Sequence, residues 1–351
     1  MVDQTQNDSA ESGKTALVTG AAGFIGFHVS QRLMADGFRV VGLDSLNDYY
    51  DVGLKERRLQ ILEADDRFAM VRGRLEEPER LMNVFQEHHP DIVVHLAAQA
   101  GVRFSIEQPR SYVEANLMGT FELLEAARAH PPDHMLLAST SSVYGANTKM
   151  PYAETDQVDT QMSFYAATKK ANEAMAHSYA HLYGLPMTMF RFFTVYGPWG
   201  RPDMALFKFV SAIQEGRPID VYNHGNMRRD FTFVDDLVEG VRRLIDCPPP
   251  LAHERGDAIE GDSLSPVAPW RVVNIGNANP VKLGDFIAAI EDAMGEKAEK
   301  RMLDMQPGDV PATWADTGLL TRLVGALPQT DLKDGIAAFV QWYRTSYNRA
   351  P

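Results

Sequence analysis

The sequence predicts an α/β protein built on a doubly wound parallel sheet, and three observations lead to this prediction. Short apolar segments with strand character alternate with longer helical segments between Thr15 and Ile275. A glycine-rich turn follows the first strand, and an acidic residue ends the second. The alternation predicts helices on both faces of the sheet, and the glycine turn predicts a ligand site beyond the carboxyl ends of the strands.

The first strand and its turn carry a phosphate-binding pattern. Residues Thr15 to Thr19 (TALVT) have the character of a buried strand, and they run directly into a turn with three glycines. Glycines at this spacing allow a tight turn, a close approach of backbone to pyrophosphate and close packing of the next helix. The pyrophosphate then lies on exposed amides at the helix N-terminus. The cofactor-binding residues predicted in this turn are Gly20, Gly23, Phe24, Ile25 and Gly26.

The second strand indicates which dinucleotide binds. Residues Arg39 to Asp44 (RVVGLD) end on an acid about 20 residues after the glycines. A carboxylate in this place accepts hydrogen bonds from both adenosine ribose hydroxyls, so Asp44 favours NAD over the phosphorylated cofactor. The alternative is an ordinary glycine turn followed by a chance aspartate. The order of strand, glycines, helix, strand and acid makes that alternative the weaker one.

The same alternation continues downstream. Further strands are predicted at 68–72, 91–96, 135–139, 185–192 and 271–275. Helices are predicted at 79–88, 111–130, 164–184 and 234–245. The stretch 247–269 contains three consecutive prolines and many polar residues, which predicts an exposed loop of variable order.

Composition excludes several functional classes. The chain has 351 residues, of which 45% are hydrophobic and 23% charged, so it can bury a sizeable core. The net charge of -13 argues against nucleic acid as a partner. Cys247 is the one cysteine, which fits a cytoplasmic protein without disulfides, and no histidine pair has a convincing metal spacing. Residues 1–14 are polar and predict a disordered tail, and no apolar run predicts a membrane span.

The segment Tyr165-Ala166-Ala167-Thr168-Lys169 is the candidate catalytic element. On a helix, residues four apart share one face, so the Tyr165 phenol and the Lys169 ammonium point into the same space. A free tyrosine has a pKa of about 10, and a nearby cation favours the phenolate. Lowering that pKa by roughly 3 units takes about 4 kcal/mol. The alternative reading is an amphipathic helix that carries a solvated lysine.

Four motifs together resemble the extended short-chain dehydrogenase/reductase family. They are TGAAGFIG (19–26), HLAAQAGVR (95–103), STSSVYG (139–145) and YAATK (165–169). The resemblance implies a Rossmann-type fold in which Leu96, Ala97 and Ala98 contact the cofactor. Tyr165 would be the acid/base, while Lys169 would hold the nicotinamide ribose and tune the tyrosine. Thr140 would contact the substrate hydroxyl. Gly73-Arg74 departs from the family pattern after the third strand, so the adenine contact is left unassigned.

Further stretches resemble the nucleotide-sugar branch of that family, and most closely the UDP-glucuronate 4-epimerases. These stretches are 190–205, 221–223, 228–236 and 306–316. UDP-glucuronate carries about three negative charges, and arginine forks suit phosphate and carboxylate.

The resemblance also implies individual contacts to a UDP-uronic acid. It places Arg229 at the diphosphate, Tyr222 against the uracil and Asp309 at the uridine ribose. Arg201 together with Thr194 would receive the sugar carboxylate. UDP-galactose epimerases typically have asparagine in place of Thr194, which disfavours a neutral hexose. A surface arginine that caps a loop is the alternative for Arg201.

The residues after the fifth strand separate the possible reactions. Related 4,6-dehydratases place an Asp-Glu pair after the threonine, and related UDP-glucuronate decarboxylases have Thr-Ser-Glu. This chain has Thr140-Ser141-Ser142, without a carboxylate in either position. The pattern favours oxidation and re-reduction at C4 alone, with Ser141 and Ser142 donating or accepting hydrogen bonds.

The full prediction is an NAD-dependent isomerase that interconverts UDP-glucuronate and UDP-galacturonate through a transient 4-keto intermediate. An NAD-binding Rossmann domain would span 15–190 plus about 232–275. A smaller C-terminal α/β lobe for the UDP-sugar would span about 191–231 plus 276–351. The long helices 111–130 and 164–184 carry apolar stripes, which the family commonly pairs into a homodimer. The alternatives are a UDP-glucose/UDP-galactose epimerase, a UDP-glucuronate decarboxylase or a non-catalytic NAD-binding sensor.

Overall fold

The computed structural model of the protein describes residues 13–251, 253–256, 259–306 and 308–347. The described part of the chain has twelve α-helices. They are α1 (Phe24–Ala35), α2 (Val52–Glu63), α3 (Arg80–His88), α4 (Phe104–Glu107), α5 (Pro109–Tyr112), α6 (Gly119–Ala129), α7 (Phe164–Tyr183), α8 (Ala205–Gln214), α9 (Val234–Ile245), α10 (Leu283–Met294), α11 (Gly318–Val324) and α12 (Leu332–Trp342).

A seven-stranded parallel sheet forms the centre of the molecule. Its strands are β1 (Thr15–Thr19), β2 (Arg39–Asp44), β3 (Phe68–Arg72), β4 (Ile92–His95), β5 (His134–Thr140), β6 (Met187–Phe192) and β10 (Trp270–Ile275). They lie side by side in the order β10-β6-β5-β4-β1-β2-β3, and every neighbouring pair is parallel. This order is the Rossmann arrangement. Strands β1 to β3 extend the sheet in one direction and β4 to β6 in the other, so the strand order reverses between the neighbours β1 and β4. The predicted fold class is confirmed.

Helices cover both faces of the sheet, as its apolar strands require. Successive residues of a strand point to opposite faces, so Ala16 and Val18 of β1 join one core cluster while Leu17 joins the other. The first cluster includes residues of α1, α9 and α11, and the second includes residues of α3, α6 and α7. The helix predicted at 234–245 therefore returns to the sheet, where Arg242 of α9 pairs with Asp36 at the end of α1 at 2.6 Å.

The helix predicted at 111–130 is not a continuous α-helix in the structure. Residues Val113–Met118 form a π-helical segment between α5 and α6. The buried side chain of Asn116 explains the widened turn, because all its polar atoms find partners there. Its amide nitrogen donates to the Gln99 carbonyl and the Thr168 hydroxyl, both at 3.1 Å, and its oxygen accepts from the Gln99 amide at 2.8 Å. The segment thus ties the chain after β4 to helix α7.

A second group of elements packs beyond the carboxyl ends of β5 and β6. It contains β7 (Thr194–Tyr196), β8 (Ile219–Val221), β9 (Arg228–Phe233), β11 (Pro280–Lys282) and β12 (Lys300–Met302), arranged as the small sheets β11-β9-β7 and β12-β8. Its apolar cluster joins β7, β8, β9 and β11 to α8, α10 and α12, and the stacked rings of Phe231 and Phe286 have centres 4.1 Å apart. We propose that this cluster is the centre of the predicted sugar-binding lobe. Leu319 and Leu320 of α11, which that lobe was predicted to include, pack in the core of the large sheet.

The predicted tail lies almost entirely outside the described residues, but its boundary needs a correction. The Lys14 carbonyl accepts a hydrogen bond from the Arg39 amide at 3.0 Å, and its ammonium pairs with Asp133 at 3.6 Å. Lys14 therefore already belongs to the sheet region. The stretch 247–269 has neither helix nor strand in its described residues, and Arg271 binds Asp262 there through two hydrogen bonds of 2.9 and 3.0 Å.

Candidate active site

A single cleft of about 1800 Å³ brings the predicted site residues together. It follows the carboxyl ends of the central strands and continues between them and the second group of elements, as expected for an open α/β sheet. The roles of the individual residues stay predictions. The predicted residues that line the cleft are Gly20, Gly23, Phe24, Ile25, Gly26, Asp44, Leu96, Ala97, Ala98, Thr140, Ser141, Ser142, Tyr165, Lys169, Thr194, Arg201, Tyr222, Arg229 and Asp309.

The glycine turn has no room for side chains. Gly20 has a φ of +73°, and a Cβ there would lie 2.8 Å from the Ala97 amide nitrogen. A Cβ on Gly26 would lie 2.0 Å from the Gly20 carbonyl oxygen. The Thr19 hydroxyl accepts from the amides of Leu96 and Ala97, each at 3.2 Å, and so fixes the chain after β4 against the turn. Only glycine fits at positions 20 and 26 in this backbone.

Two features suit an adenosine diphosphate group. The N-terminus of α1 suits its pyrophosphate, and Asp44 suits its ribose. The N-cap residue Gly23 supplies no side-chain cap, and the first turn of α1 carries no acid, so its amides are available to an anion. Asp44 accepts from the Leu46 amide at 2.8 Å and from the Ala22 amide at 3.1 Å, which fixes its carboxylate at the end of β2. These features fit NAD, and they would hold its pyrophosphate and adenosine ribose.

A substitution at Gly26 tests this cofactor site. The Gly26→Ala protein is expected to retain less than about a tenth of the NAD that the unmodified protein retains after gel filtration, because the added Cβ would displace the Gly20 carbonyl. Bound NAD is measured per chain after denaturation. Gly284→Ala in α10 is the matched control, since a Cβ there meets nothing within 4 Å. Full NAD content in the Gly26 variant would contradict the predicted role.

Helix α7 places Tyr165 and Lys169 at the centre of the cleft. The Ser163 hydroxyl caps the helix by accepting from the Ala166 amide at 3.1 Å, which puts Tyr165 in the first turn. Lys169 follows one turn later. Its ammonium is buried, with the residue 2% exposed, and donates to the Ala138 carbonyl at 2.9 Å. The solvated-lysine alternative is therefore wrong for this helix. Burial lowers the pKa of Lys169 to about 8.

Burial, a hydrogen bond and a nearby positive charge act on the pKa of Tyr165. Burial raises the pKa of the Tyr165 phenol, while a hydrogen bond with Thr140 and the positive charge of Arg201 lower it. The Lys169 ammonium is bonded to the backbone of β5, and its effect on the phenol stays a prediction. Thr140 itself accepts from the Ser142 amide at 3.2 Å, which holds its hydroxyl in the cleft.

Arg201 is not a surface arginine. Its side chain is 22% exposed, and its guanidinium binds the Asp203 carboxylate through Nε at 2.9 Å and Nη2 at 2.6 Å. The Tyr49 hydroxyl donates to the same carboxylate at 3.3 Å. Sequence reasoning missed Tyr49 and Asp203. Asp203 could have been found as an acid two residues after a predicted anion-binding arginine, whereas nothing in the sequence distinguishes Tyr49.

The far end of the cleft gathers Tyr222, Arg229 and Asp309. The structure adds Arg103, whose guanidinium lies 4.7 Å from the centre of the Tyr222 ring and 3.4 Å from the Asp309 carboxylate. Burial lowers the pKa of Arg229, and the Asp309 charge raises it. Sequence reasoning quoted Arg103 only as the last residue of a motif. Its place just after β4, among other residues at the ligand edge, was the available signal.

Two further properties concern the described residues as a group. They contain no cluster of three or more histidine, cysteine, aspartate or glutamate side chains with the arrangement of a metal site. None of the helices in the described ranges is long and apolar enough to cross a membrane.

Comparison with known proteins places these features in context. The model of the NAD-dependent epimerase/dehydratase family matches residues 16–254. A probable UDP-glucuronate 4-epimerase of Rhizobium meliloti is 54% identical over 334 residues, which cover 95% of this chain and 98% of that protein. UDP-glucuronate 4-epimerase 4 of Arabidopsis thaliana is 46% identical over 345 residues, which cover 97% of this chain and 77% of that protein. The crystal structure of UDP-glucuronic acid 4-epimerase from Bacillus cereus, in complex with UDP-glucuronic acid and NAD, has a TM-score of 0.83 and 32% identity, and the match covers 94% of this chain and 99% of that one.

Proposed function

Because the chain belongs to the NAD-dependent epimerase/dehydratase family, we propose that it is an NAD-dependent 4-epimerase that interconverts UDP-glucuronate and UDP-galacturonate. The chain spans nearly the full length of the bacterial relative that bears this activity in its name. The bacterial relative of known structure binds NAD and UDP-glucuronic acid. The enzyme is thus an isomerase, and its cofactor is NAD.

One observation carries the choice of a uronic acid as substrate. Arg201 and Tyr165 line the same cleft, and the positive charge of Arg201 lowers the pKa of the phenol. In a hexuronate the carboxylate is attached to C5, next to the C4 hydroxyl. A base for C4 and an arginine for the C5 carboxylate therefore belong together, and a neutral hexose would leave the arginine without that partner.

The residues of the cleft account for the proton transfer. Tyr165 as phenolate takes the proton of the C4 hydroxyl, directly or through Thr140, and later returns a proton to the C4 oxygen. NAD supplies the redox chemistry when bound, because it accepts a hydride from C4 and gives it back. The 4-keto sugar must turn its other face between the two transfers. Arg201 and Thr194 hold the carboxylate, and Lys169 holds the nicotinamide ribose.

The product formed from UDP-glucuronate tests this proposal. The purified enzyme with UDP-glucuronate, followed by proton NMR, is expected to form UDP-galacturonate as its main product. Ser141 and Ser142 provide no carboxylate of the kind that dehydratases and decarboxylases place here. UDP-xylose as the main product would show a decarboxylase instead. UDP-glucose converted faster than UDP-glucuronate would show an epimerase of neutral hexoses.

We further propose a homodimer that pairs α6 and α7 with the same helices of a second copy. Met118 and Phe121 are 47% and 40% exposed beside α7, whose Ala167 is also exposed. Phe121→Glu is expected to convert the dimer into a monomer, because a dimer of this variant would bury two charges at the twofold axis. The molar mass is measured by light scattering. Ile61→Glu on α2 is the control at a similar exposure of 41%. A dimer that persists in the Phe121 variant would contradict this interface.

A further inference from the structure

We propose that Asp203, assisted by Tyr49, is a positioning residue that aims the Arg201 guanidinium at the substrate carboxylate and thereby keeps the sugar from losing carbon dioxide. This inference rests on the proposed function and extends it to two residues outside the predicted site. It starts from the geometry of the guanidinium and ends in a product ratio that can be measured.

The bond between Arg201 and Asp203 uses only one edge of the guanidinium. Asp203 accepts from Nε at 2.9 Å and from Nη2 at 2.6 Å, which is the side-on bidentate pairing. A guanidinium has five N–H groups, so the edge formed by Nη1 and the second hydrogen of Nη2 can still take another carboxylate. Among the described residues, no hydrogen bond from Nη1 of Arg201 is found. Asp203 thus fixes the plane of the guanidinium and leaves its end for the substrate.

Tyr49 holds Asp203 from the opposite wall of the cleft. Its hydroxyl donates to Oδ2 of Asp203 at 3.3 Å, and its ring lies against Phe104 with ring centres 4.9 Å apart. The backbone at Gly101 passes close to this hydroxyl, since a Cβ on that glycine would lie 2.6 Å from the Tyr49 oxygen. Tyr49 follows β2, on the cofactor side, whereas Arg201 and Asp203 follow β7. The contact therefore joins the two sides of the cleft at the predicted sugar position.

The charge of the pair also suits this role. Although burial alone would raise the pKa of Asp203, the Arg201 guanidinium holds that pKa below its usual range, so the carboxylate stays ionised at neutral pH. Asp203 and the Tyr49 hydroxyl then hold the guanidinium in one orientation before substrate arrives. A preoriented fork loses less side-chain freedom on binding than a mobile one.

Orientation matters because the 4-keto uronic acid is a β-keto acid. Loss of carbon dioxide breaks the C5–C6 bond, and its electron pair moves into the C4 ketone to form an enolate, which then takes a proton at C5. This step is fast only when the C5–C6 bond stands perpendicular to the plane of the ketone. An arginine held rigidly by Asp203 keeps the carboxylate away from that alignment, so both affinity and product identity depend on Asp203.

Three substitutions test the proposal on the NAD-bound enzyme. Asp203→Asn is expected to raise the KM for UDP-glucuronate about tenfold or more, because the amide lacks the charge that fixes Arg201. It is also expected to raise the fraction of carbon dioxide released per turnover about fivefold or more. Asp203→Glu should restore part of both properties, and Tyr49→Phe should shift both in the same direction by about two- to threefold. The affinity for UDP, which has no sugar carboxylate, should stay unchanged in all three.

The controls separate this proposal from the proposed function. If the unmodified enzyme forms no UDP-galacturonate, the proposed function fails and the role of Asp203 fails with it. If the unmodified enzyme epimerises and Asp203→Asn leaves both the KM and the carbon dioxide fraction unchanged, only the role of Asp203 is overturned. Equal losses of UDP and UDP-glucuronate affinity would show a general structural role and would also overturn it. Tyr49→Phe keeps the test decisive should Asp203→Asn fail to fold.

Discussion

The Tyr165→Phe enzyme is expected to lose about 10²- to 10⁴-fold in kcat for UDP-glucuronate while it keeps its NAD. The change removes only the phenolic oxygen. In the proposed mechanism this oxygen is the group that exchanges a proton with the C4 hydroxyl. The ring itself remains, and its edge contact with Tyr112 at 6.0 Å supports the same helix position. The glycine turn and Asp44 are untouched, so bound NAD per chain should match that of the unmodified enzyme.

A second tyrosine on the same helix provides the control. Tyr183 lies at the end of α7 and is 45% exposed, away from the cleft. Tyr183→Phe should therefore leave kcat unchanged. Turnover of the Tyr165 variant within about twofold of normal would remove the phenol from its role, because general acid–base catalysis contributes far more than that.

The Glu173→Gln enzyme is expected to lose about 3–5 kcal/mol of its free energy of unfolding, measured in urea. Glu173 is 1% exposed and binds Arg191, which is 2% exposed, through two hydrogen bonds of 2.9 Å. The Ser139 hydroxyl donates to the same carboxylate at 2.7 Å. Neutralising Glu173 leaves a buried guanidinium without its anion, and the resulting penalty is large because little water can reach it. The pair joins α7 to β6, and Ser139 adds β5, one turn along α7 from Lys169.

Two comparisons make this stability prediction specific. Glu215→Gln removes the partner of Arg217 in an exposed pair, and it should leave the free energy of unfolding nearly unchanged. Replacing Arg191 by Met in the Glu173→Gln enzyme should recover part of the loss, because the unpaired charge is then gone. A loss below about 1 kcal/mol for Glu173→Gln would contradict the account of this pair.

Acid should weaken the same interaction. Burial alone would raise the pKa of Glu173, but the neighbouring Arg191 guanidinium lowers it below its usual value. A carboxylate with a depressed folded-state pKa adds stability that is fully present above its unfolded pKa of about 4.3 and is lost as the pH falls through the folded value. The difference in unfolding free energy between Glu173 and its Gln variant should therefore shrink below about pH 4.

The sequence predicts the central sheet well because strong local signals determine it. Strands β1, β2 and β3 begin and end where their apolar runs do, and the glycines that follow β1 have no alternative in the folded backbone. The three-residue strands β7, β8, β11 and β12 were not predicted, since segments so short show no clear alternation. The π-helical segment was also missed, because it depends on Asn116 meeting Gln99 and Thr168 from distant parts of the chain.

The sequence predicted the site residues that belong to recognisable motifs and missed those that do not. Tyr165, Lys169 and the glycines belong to such patterns, and the structure places them in one cleft. Arg58 does not, although its buried guanidinium donates to the Ala22 carbonyl at 2.9 Å and supports the glycine turn from α2. An arginine within a polar helix is normally solvated, so the sequence offers no reason to single it out. Asp203 was missed for a similar reason, since its partner Arg201 was considered only in relation to the substrate.

The central claim is that the hydrogen removed from C4 returns to C4 within one active site. UDP-glucuronate labelled with deuterium at C4, incubated with the purified enzyme without added cofactor, tests it by NMR and mass spectrometry. The account predicts UDP-galacturonate that keeps the deuterium at C4 and carries none of the solvent's hydrogen there. UDP-galacturonate with the label washed out into solvent, or a decarboxylated pentose in its place, would contradict it.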